Sequence, residues 1–463
     1  MKISADLISG GYLVLKRYID WSYMLVYEHM IKDPVHGYIG ITSVEKCIIN
    51  TRAFQRLRRI LQLPTSVYVY PGATHSRFIH SIGAMHIAGV FGENIASRFK
   101  LAGREEGARL IQYLRLVLLL HDIGHGPFSH SFEEKILYPL NTNHEIVGSR
   151  IVESDEEILS CIEESSDLGF DARDVSRALT AVSSEDWPVL GFSGVDQDME
   201  KSLFYILKGP FAADLLDYLI RDSYYTGAGY GLGIDWVRIA RNAVALRKRL
   251  GILDKAVDAY EHVLISRFHM FAAVYYHKTT RAVEHLVGRM LEESNAYIDY
   301  KSIVEDPSRY IDLDDSYILG NPSIRKLESC KMLLSRKIPY TVVEEKRIQI
   351  QRGSPLSLLA INRNLLNKLL IEELGKDFEG IVYIDTPHLP LNPMLKEEEV
   401  LVISGDRPIV KRFEEISFGT LSHSVAIVRL YMDKAHLDKR ERAVKAFREI
   451  IESSSEETLR SFY

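Results

Sequence analysis

The stretch LLLHDIGHGPFSH, residues 118–130, puts three histidines and one aspartate directly behind an apolar run. Neutral imidazole and carboxylate are both good ligands for a divalent metal of intermediate hardness. His121 and Asp122 are adjacent where a helix is expected to end, so both side chains can face one point. Two ligands do not hold a catalytic metal. His80, in HSRFIHSIG, and Asp214, in AADLLDYLIRD, lie on two further predicted helices and are the candidates to complete the set. Such a set of N and O ligands leaves positions for water and substrate oxygens, and a metal held there lowers the pKa of water and neutralises developing charge.

Around this set stands a second layer. His125 and His130 follow His121 at +4 and +9, and His144 precedes Glu145 in NTNHEIVGSR. Histidines supply hydrogen-bond donors or a general acid that titrates near neutrality. Arg77, three residues before His80, brings a guanidinium suited to bidentate phosphate binding. Metal, histidines and arginine together point to an anionic, phosphate-bearing substrate.

These residues need helices to position them. TRAFQRLRRILQL (51–63) has Phe54, Leu57, Ile60 and Leu61 at helical spacing. HSIGAMHIAGVFGENIASRF (80–99) is small and apolar on one side, and GARLIQYLRLVLLLHDIGH (107–125) becomes apolar all round, hence buried. ADLLDYLIRDSYYTGAG (213–229) reads as a helix with a glycine-rich stop, and helical texture continues from about Ile234 to Ser294. After about Leu313 short β-branched runs appear: IPYTVVEEKRIQIQ, EGIVYIDTP, EVLVISG and SVAIVRLYM. With the helices LSLLAINRNLLNKLLIEELG and HLDKRERAVKAFREIIESSSEE they form a closing α+β unit. The expected class is mainly α: a helical catalytic core with a smaller C-terminal α+β region, divided as 1–29, 30–312 and 313–463.

The bulk numbers limit the partners. The chain has 463 residues, 46% hydrophobic and 26% charged, with a net charge of −6. No global basic field recruits nucleic acid, which is not an expected partner. No run of 18 or more apolar residues suggests a membrane span. The segment before Met30 makes a poor signal peptide, and Met30 is a candidate alternative start. The three cysteines, Cys47, Cys161 and Cys330, are far apart with no CxxC, which argues for unpaired thiols, a reducing compartment and a cytoplasmic protein.

The ordered stretches DPVHGYI, FQRLRRILQL, PGATHSRFIHSIG, HDIGHGPFSHSFE, HE, DLLDYLIRD and RFHMFAAVYYHK run from about residue 31 to 278. In this order they resemble the HD-domain phosphohydrolases, and more narrowly the dNTP triphosphohydrolases of the sterile-alpha-motif/HD type, here without that motif's domain. The resemblance implies that His80, His121, Asp122 and Asp214 are metal ligands. It implies that Arg77, His125 and His130 surround the α-phosphate and that His144 is the general acid, with Glu133 where an aspartate often supports the catalytic histidine. Gln62, Tyr218 and Asp222 match residues on the deoxyribose 3′-hydroxyl side, Arg267 a phosphate contact and Tyr275 a residue beside sugar and base. Implied too are a divalent ion (Mg, Mn, Fe, Co, Ni or Zn), hydrolysis of a dNTP to deoxynucleoside and triphosphate by water attack at the α-phosphorus, and a homo-oligomer, dimer or tetramer. A nucleotide activator is a further implied partner, because Gln55 and Arg58 match the family's allosteric site, although Asn50 replaces an acidic residue there.

Leu215 stands where the family often has a phosphate-binding lysine, which favours a second reading: a phosphodiesterase or nucleotidase acting on another phosphate ester. A third is a non-catalytic regulator that binds nucleotide or single-stranded nucleic acid. The RLRR run (56–59) reads equally as a phosphate-binding patch at a subunit interface or a solvated helix face. GAGYGLG lacks the lysine and hydroxyl of a phosphate loop and reads as a helix-terminating turn.

Overall fold

The computed structural model describes residues 25–164, 169–350, 362–389, 400–404, 409–412 and 424–453. A hairpin, β1 (His29–Asp33) and β2 (Gly37–Ile41), leads into α1 (Ser43–Asn50). The catalytic half then continues through α2 (Arg77–Arg98), α3 (Glu105–Leu120), α4 (His144–Ser154), α5 (Glu156–Glu163) and α6 (Ala213–Thr226). The apolar run of α3 has no polar face at its C-terminal end: Leu114, Leu116, Val117, Leu118, Leu119 and Leu120 have no exposed surface. Each such side chain contributes about 2 kcal/mol of burial. A buried ion pair of Arg115 with Glu45 ties α3 to the capped start of α1.

Two glycines let the helices approach where the chemistry lies. A Cβ on Gly83 of α2 would fall 2.0 Å from the Asp217 carboxylate of α6. One on Gly124, in the turn after α3, would fall 2.0 Å from the His144 carbonyl at the start of α4. α6 stops at Gly227, whose φ of 72° is the left-handed C-cap that glycine adopts freely.

Next come a second hairpin, β3 (Ala243–Leu246) with β4 (Arg249–Leu253), and the helices α7 (Val257–Met270) and α8 (Lys278–Ser294). The C-terminal part contributes β5 (Tyr340–Ile350), α9 (Arg363–Leu374), β6 (Val382–Asp385), β7 (His388–Leu389), β8 (Leu401–Ser404), β9 (Ile409–Arg412), β10 (Ser424–Asp433) and α10 (Arg440–Ser453). β10 is the centre of one antiparallel sheet, between β5 on one side and β6 and β7 on the other. β8 crosses back to pair in parallel with β4, giving the order β3-β4-β8-β9. One apolar core runs through the helical part and reaches Tyr431, and a second is built only from residues 343–451. The result is the mainly α architecture with a smaller α+β region that the sequence implies.

Several expectations need correction. The helical texture read from Ile234 to Ser294 is interrupted by the β3–β4 hairpin. The helix expected over 51–63 is one short turn, Arg52–Gln55, followed by a 3-10 turn, Arg56–Arg59, and Leu61 then bridges to Ser76. RLRR is not a uniformly solvated helix face, although Arg58 and Arg59 are exposed. Arg56 is fully buried and donates to the carbonyls of Leu313 and Ile123, Arg58 lies over Phe78, and Arg59 pairs with Asp314. Cys47 and Cys161 are joined in a disulfide between α1 and α5, so the expectation of unpaired thiols fails for both. The inference of a reducing compartment loses that support. Cys330 is free and buried. The segment before residue 25, the first part of LSLLAINRNLL and the serine-rich end lie outside the described residues.

Candidate active site

Three helices deliver the candidate ligands. His80 sits one turn into α2, His121 caps the C-terminus of α3 with Asp122 beside it, and Asp214 lies in the first turn of α6. His80 Nε2 is 3.0 Å from Asp214 Oδ1 and 3.7 Å from Asp122 Oδ2. His121 Nε2 is 3.5 Å from Asp122 Oδ1 and 3.6 Å from Asp214 Oδ1. Donor atoms of His80, His121 and Asp214 all lie within 4.8 Å of one another and could hold one ion, while those of Asp122, His125 and His144 form a second such group beside them.

The rings are oriented for that role. His80 Nδ1 donates to Asp217 Oδ2 at 2.8 Å, and His121 Nδ1 donates to the Leu118 carbonyl at 2.7 Å. Fixing Nδ1 turns Nε2 inward, the usual second layer of a metal-binding histidine. Burial alone would lower the His80 pKa, but hydrogen bonds to Asp214 and Asp217 override it and push it up to about 10. Burial alone would raise Asp122, but Arg77 and the neighbouring histidines hold it well below the usual carboxylate range.

Arg77 joins the metal set to a cavity. Its Nη1 donates to Asp122 Oδ2 at 2.6 Å and its Nε to Ser129 Oγ at 2.9 Å, leaving further N–H donors for an anion. Ser129 and the preceding Phe128 both take positive φ, 54° and 58°, a strained backbone of the kind that concentrates at functional sites. The cavity measures about 340 Å³ and is lined by Arg77, Gln62, His130, Tyr218, Asp222 and Tyr275 among others. The Asp222 carboxylate accepts from Tyr275 Oη at 2.8 Å. Burial pushes the Tyr218 phenol up to about 12 and Tyr275 well above its ordinary value, so both stay neutral donors. Arg267 does not line this cavity. Its guanidinium lies 5.3 Å from the Phe271 ring, near enough to Tyr218 to lower that phenol's pKa.

A histidine network occupies the other side of Asp122. His125 Nε2 is 3.3 Å from Asp122 Oδ1, and the His125 ring stacks on His144 at 3.9 Å. Burial, with Arg77 and His144 adding to it, keeps His125 far below its ordinary value, hence neutral. Glu133 accepts from His144 Nδ1 at 2.6 Å and from the His144 backbone N–H at 3.1 Å, while its second oxygen is 3.2 Å from His130 Nδ1. The longer carboxylate therefore reaches both histidines. Those contacts outweigh burial and hold Glu133 far below the usual carboxylate range. His130 is 70% exposed at the cavity rim. Leu215 is buried in the apolar core, so no side chain at 215 enters the site.

Sequence reasoning missed the groups beneath the site. Asp217, with no exposed surface, takes His80, His36 Nε2 at 2.6 Å, and both Nε and Nη2 of Arg221 at 2.8 and 2.9 Å. Arg221 also reaches Asp33 at 2.8 Å. The i,i+4 spacing of Asp217 and Arg221 was a readable signal, but their link to His80 was not. His75, Ser129, Arg281 and Glu284 were likewise missed.

Comparison with known proteins identifies the domains that carry these residues. The HD domain family matches residues 77–180, which include His80, His121 and Asp122, and the HD associated region matches residues 234–417. Asp214 falls between the two. The chain is similar to the protein YwfO of Bacillus subtilis, 34% identical over 63% of this chain and 65% of that one. It is also similar to MJ1154 of Methanocaldococcus jannaschii, 29% identical over 84% of this chain and 74% of that one. A third relative is the deoxynucleoside triphosphate triphosphohydrolase SAMHD1 homolog of Dictyostelium discoideum, 29% identical over 67% of this chain and 57% of that one. This chain therefore spans little more than half of that relative. A hypothetical protein from Aquifex aeolicus shares the fold, with a TM-score of 0.68 at 23% identity over 90% of this chain and 99% of that one. With an HD domain followed by its associated region, the chain belongs to the HD-domain phosphohydrolases.

Proposed function

We propose that the substrate is a deoxynucleoside triphosphate and that the products are the deoxynucleoside and intact triphosphate. The observation that carries this reading is Arg77, which touches the metal-ligand carboxylate and also lines a cavity whose other wall is Gln62, Asp222 and Tyr275. Phosphate and sugar are thereby served by one continuous surface. His80, His121, Asp122 and Asp214 would hold a divalent ion (Mg, Mn, Fe, Co, Ni or Zn), which supplies Lewis acidity and lowers the pKa of water when bound. Arg77 clamps the α-phosphate and His130 approaches it from the rim. His144, its Nδ1 held by Glu133, keeps Nε2 to donate a proton to the departing 5′-oxygen. His125 backs that ring as a neutral stacking partner. Asp222 and Gln62 take the 3′-hydroxyl, with Tyr218 and Tyr275 beside sugar and base and Arg267 behind them.

A phosphodiesterase or nucleotidase is the second reading, favoured by the missing lysine at Leu215. On either reading we expect a homo-oligomer. We assign an activating nucleotide to a second cavity of about 580 Å³, lined by Lys32, Lys46, Asn50, Gln55 and Arg58 among others. There Arg58 donates to Gln55 at 2.8 Å.

The test is product analysis. Each dNTP, each rNTP and a generic phosphodiester are incubated singly and combined with Mg²⁺, Mn²⁺ or Co²⁺, beside an Asp122→Ala control. Deoxynucleoside with intact triphosphate, absent in the control, supports the reading. Turnover of diesters or monoesters alone overturns the substrate assignment, and no turnover in any mixture favours a binding regulator.

A further inference from the structure

We propose that His75 is a positioning residue that fixes the Asp222 carboxylate for a substrate hydroxyl, and that it sets the discrimination between nucleotides with and without a 3′-hydroxyl. This rests on the dNTP reading above. His75 is buried, and its Nε2 lies 2.6 Å from Asp222 Oδ1. The ring stacks on Tyr225, with centroids 4.6 Å apart and planes 18° apart. Its Nδ1 is buried with no hydrogen-bond partner among the described residues.

The carboxylate only accepts, so Nε2 carries a hydrogen and donates it to Asp222. Tyr275 Oη donates to the other Asp222 oxygen at 2.8 Å. Each oxygen then has one protein donor and keeps a lone pair for the cavity that Asp222 lines. A carboxylate held in this way accepts from a hydroxyl and tolerates a C–H in its place poorly, because the buried charge loses a partner. The His75 carbonyl also accepts the Gln62 backbone N–H at 3.0 Å, so one residue aligns both groups assigned to the sugar.

The test compares kcat/KM for a dNTP and for its 2′,3′-dideoxy counterpart in three proteins: wild type, His75→Phe and His75→Gln. His75→Phe keeps a flat ring against Tyr225 and removes the N–H. His75→Gln keeps an N–H near the Nε2 position. The expected result is that His75→Phe loses about ten- to a hundredfold on the dNTP, little on the dideoxy nucleotide, and that His75→Gln recovers most of the ratio. An equal loss on both substrates, or no recovery by His75→Gln, assigns His75 to packing and overturns the proposal. A wild type that hydrolyses both nucleotides equally well overturns it too, while leaving the hydrolase reading intact. A wild type inactive on every dNTP sinks the substrate reading, and the proposal with it.

Discussion

Replacing Asp217 with asparagine separates two forces at the metal site. The wild-type carboxylate receives four N–H groups at 2.6–2.9 Å and has no exposed surface. Removing one partner of a buried ion pair costs about 3–5 kcal/mol. Arg221 keeps Asp33 and the asparagine oxygen still accepts, so the lower end, about 3 kcal/mol of metal-free stability, is expected. Denaturant unfolding reads this directly. For metal binding, the loss of the group that orients His80 weakens affinity about 10–100-fold. A second effect opposes it. Asp217 is one of the groups that raise His80 to about 10, so the wild type must release a proton to bind metal at neutral pH. In Asp217→Asn that competition eases. Calorimetric titration with Mn²⁺ at two pH values resolves the two: the affinity loss should be larger near pH 9, where the His80 proton costs the wild type only about tenfold, and smaller near pH 6.5. Tighter binding by Asp217→Asn than by the wild type near pH 9 would refute the claim that Asp217 orients His80.

Four further outcomes are expected. Metal binding at pH 7 should release at least part of one proton, seen as a buffer-dependent heat, and apparent affinity should rise up to about tenfold per pH unit until pH approaches the His80 value of about 10. In the metal-free protein, the His80 contribution to stability should be full below its unfolded pKa of about 6.5 and lost as pH rises through about 10. His144→Gln should keep metal affinity and lose about 10²–10⁴ in kcat, with Glu133→Gln close behind because it holds the same ring, as read in steady-state rates beside metal titrations. Reducing the disulfide, or Cys47→Ser, should lower stability by about 4 kcal/mol for a loop closed over 114 positions, measured by unfolding with and without reductant.

The parts of the site carried by local spacing were legible before any coordinates. His121 and Asp122 follow an apolar run that reads as a buried helix, and His80, His121 and Asp214 lie together at its end. The groups beneath them were not legible, because they depend on how closely two helices approach. Nothing in DLLDYLIRD says that Gly83 will admit Asp217 to the back of His80. The same holds for His75, whose partner Asp222 is 147 positions away. The β3–β4 hairpin escaped notice because its turn at Arg247 and Lys248 carries no glycine or asparagine, although Lys248 takes a φ of 55°. Cys47 and Cys161 pair through the packing of α1 on α5, which no cysteine spacing encodes. The strands beyond 340 were legible because β-branched runs between turn residues leave little else.

In the proposed reaction water attacks the α-phosphorus and the 5′-oxygen leaves. Hydrolysis of a dNTP in ¹⁸O-labelled water with a divalent metal, followed by mass spectrometry of both products, tests it most directly. The label is expected in the triphosphate, with none in the 5′-hydroxyl of the deoxynucleoside. Label in the deoxynucleoside, or its appearance in monophosphate or free phosphate instead of intact triphosphate, would contradict it.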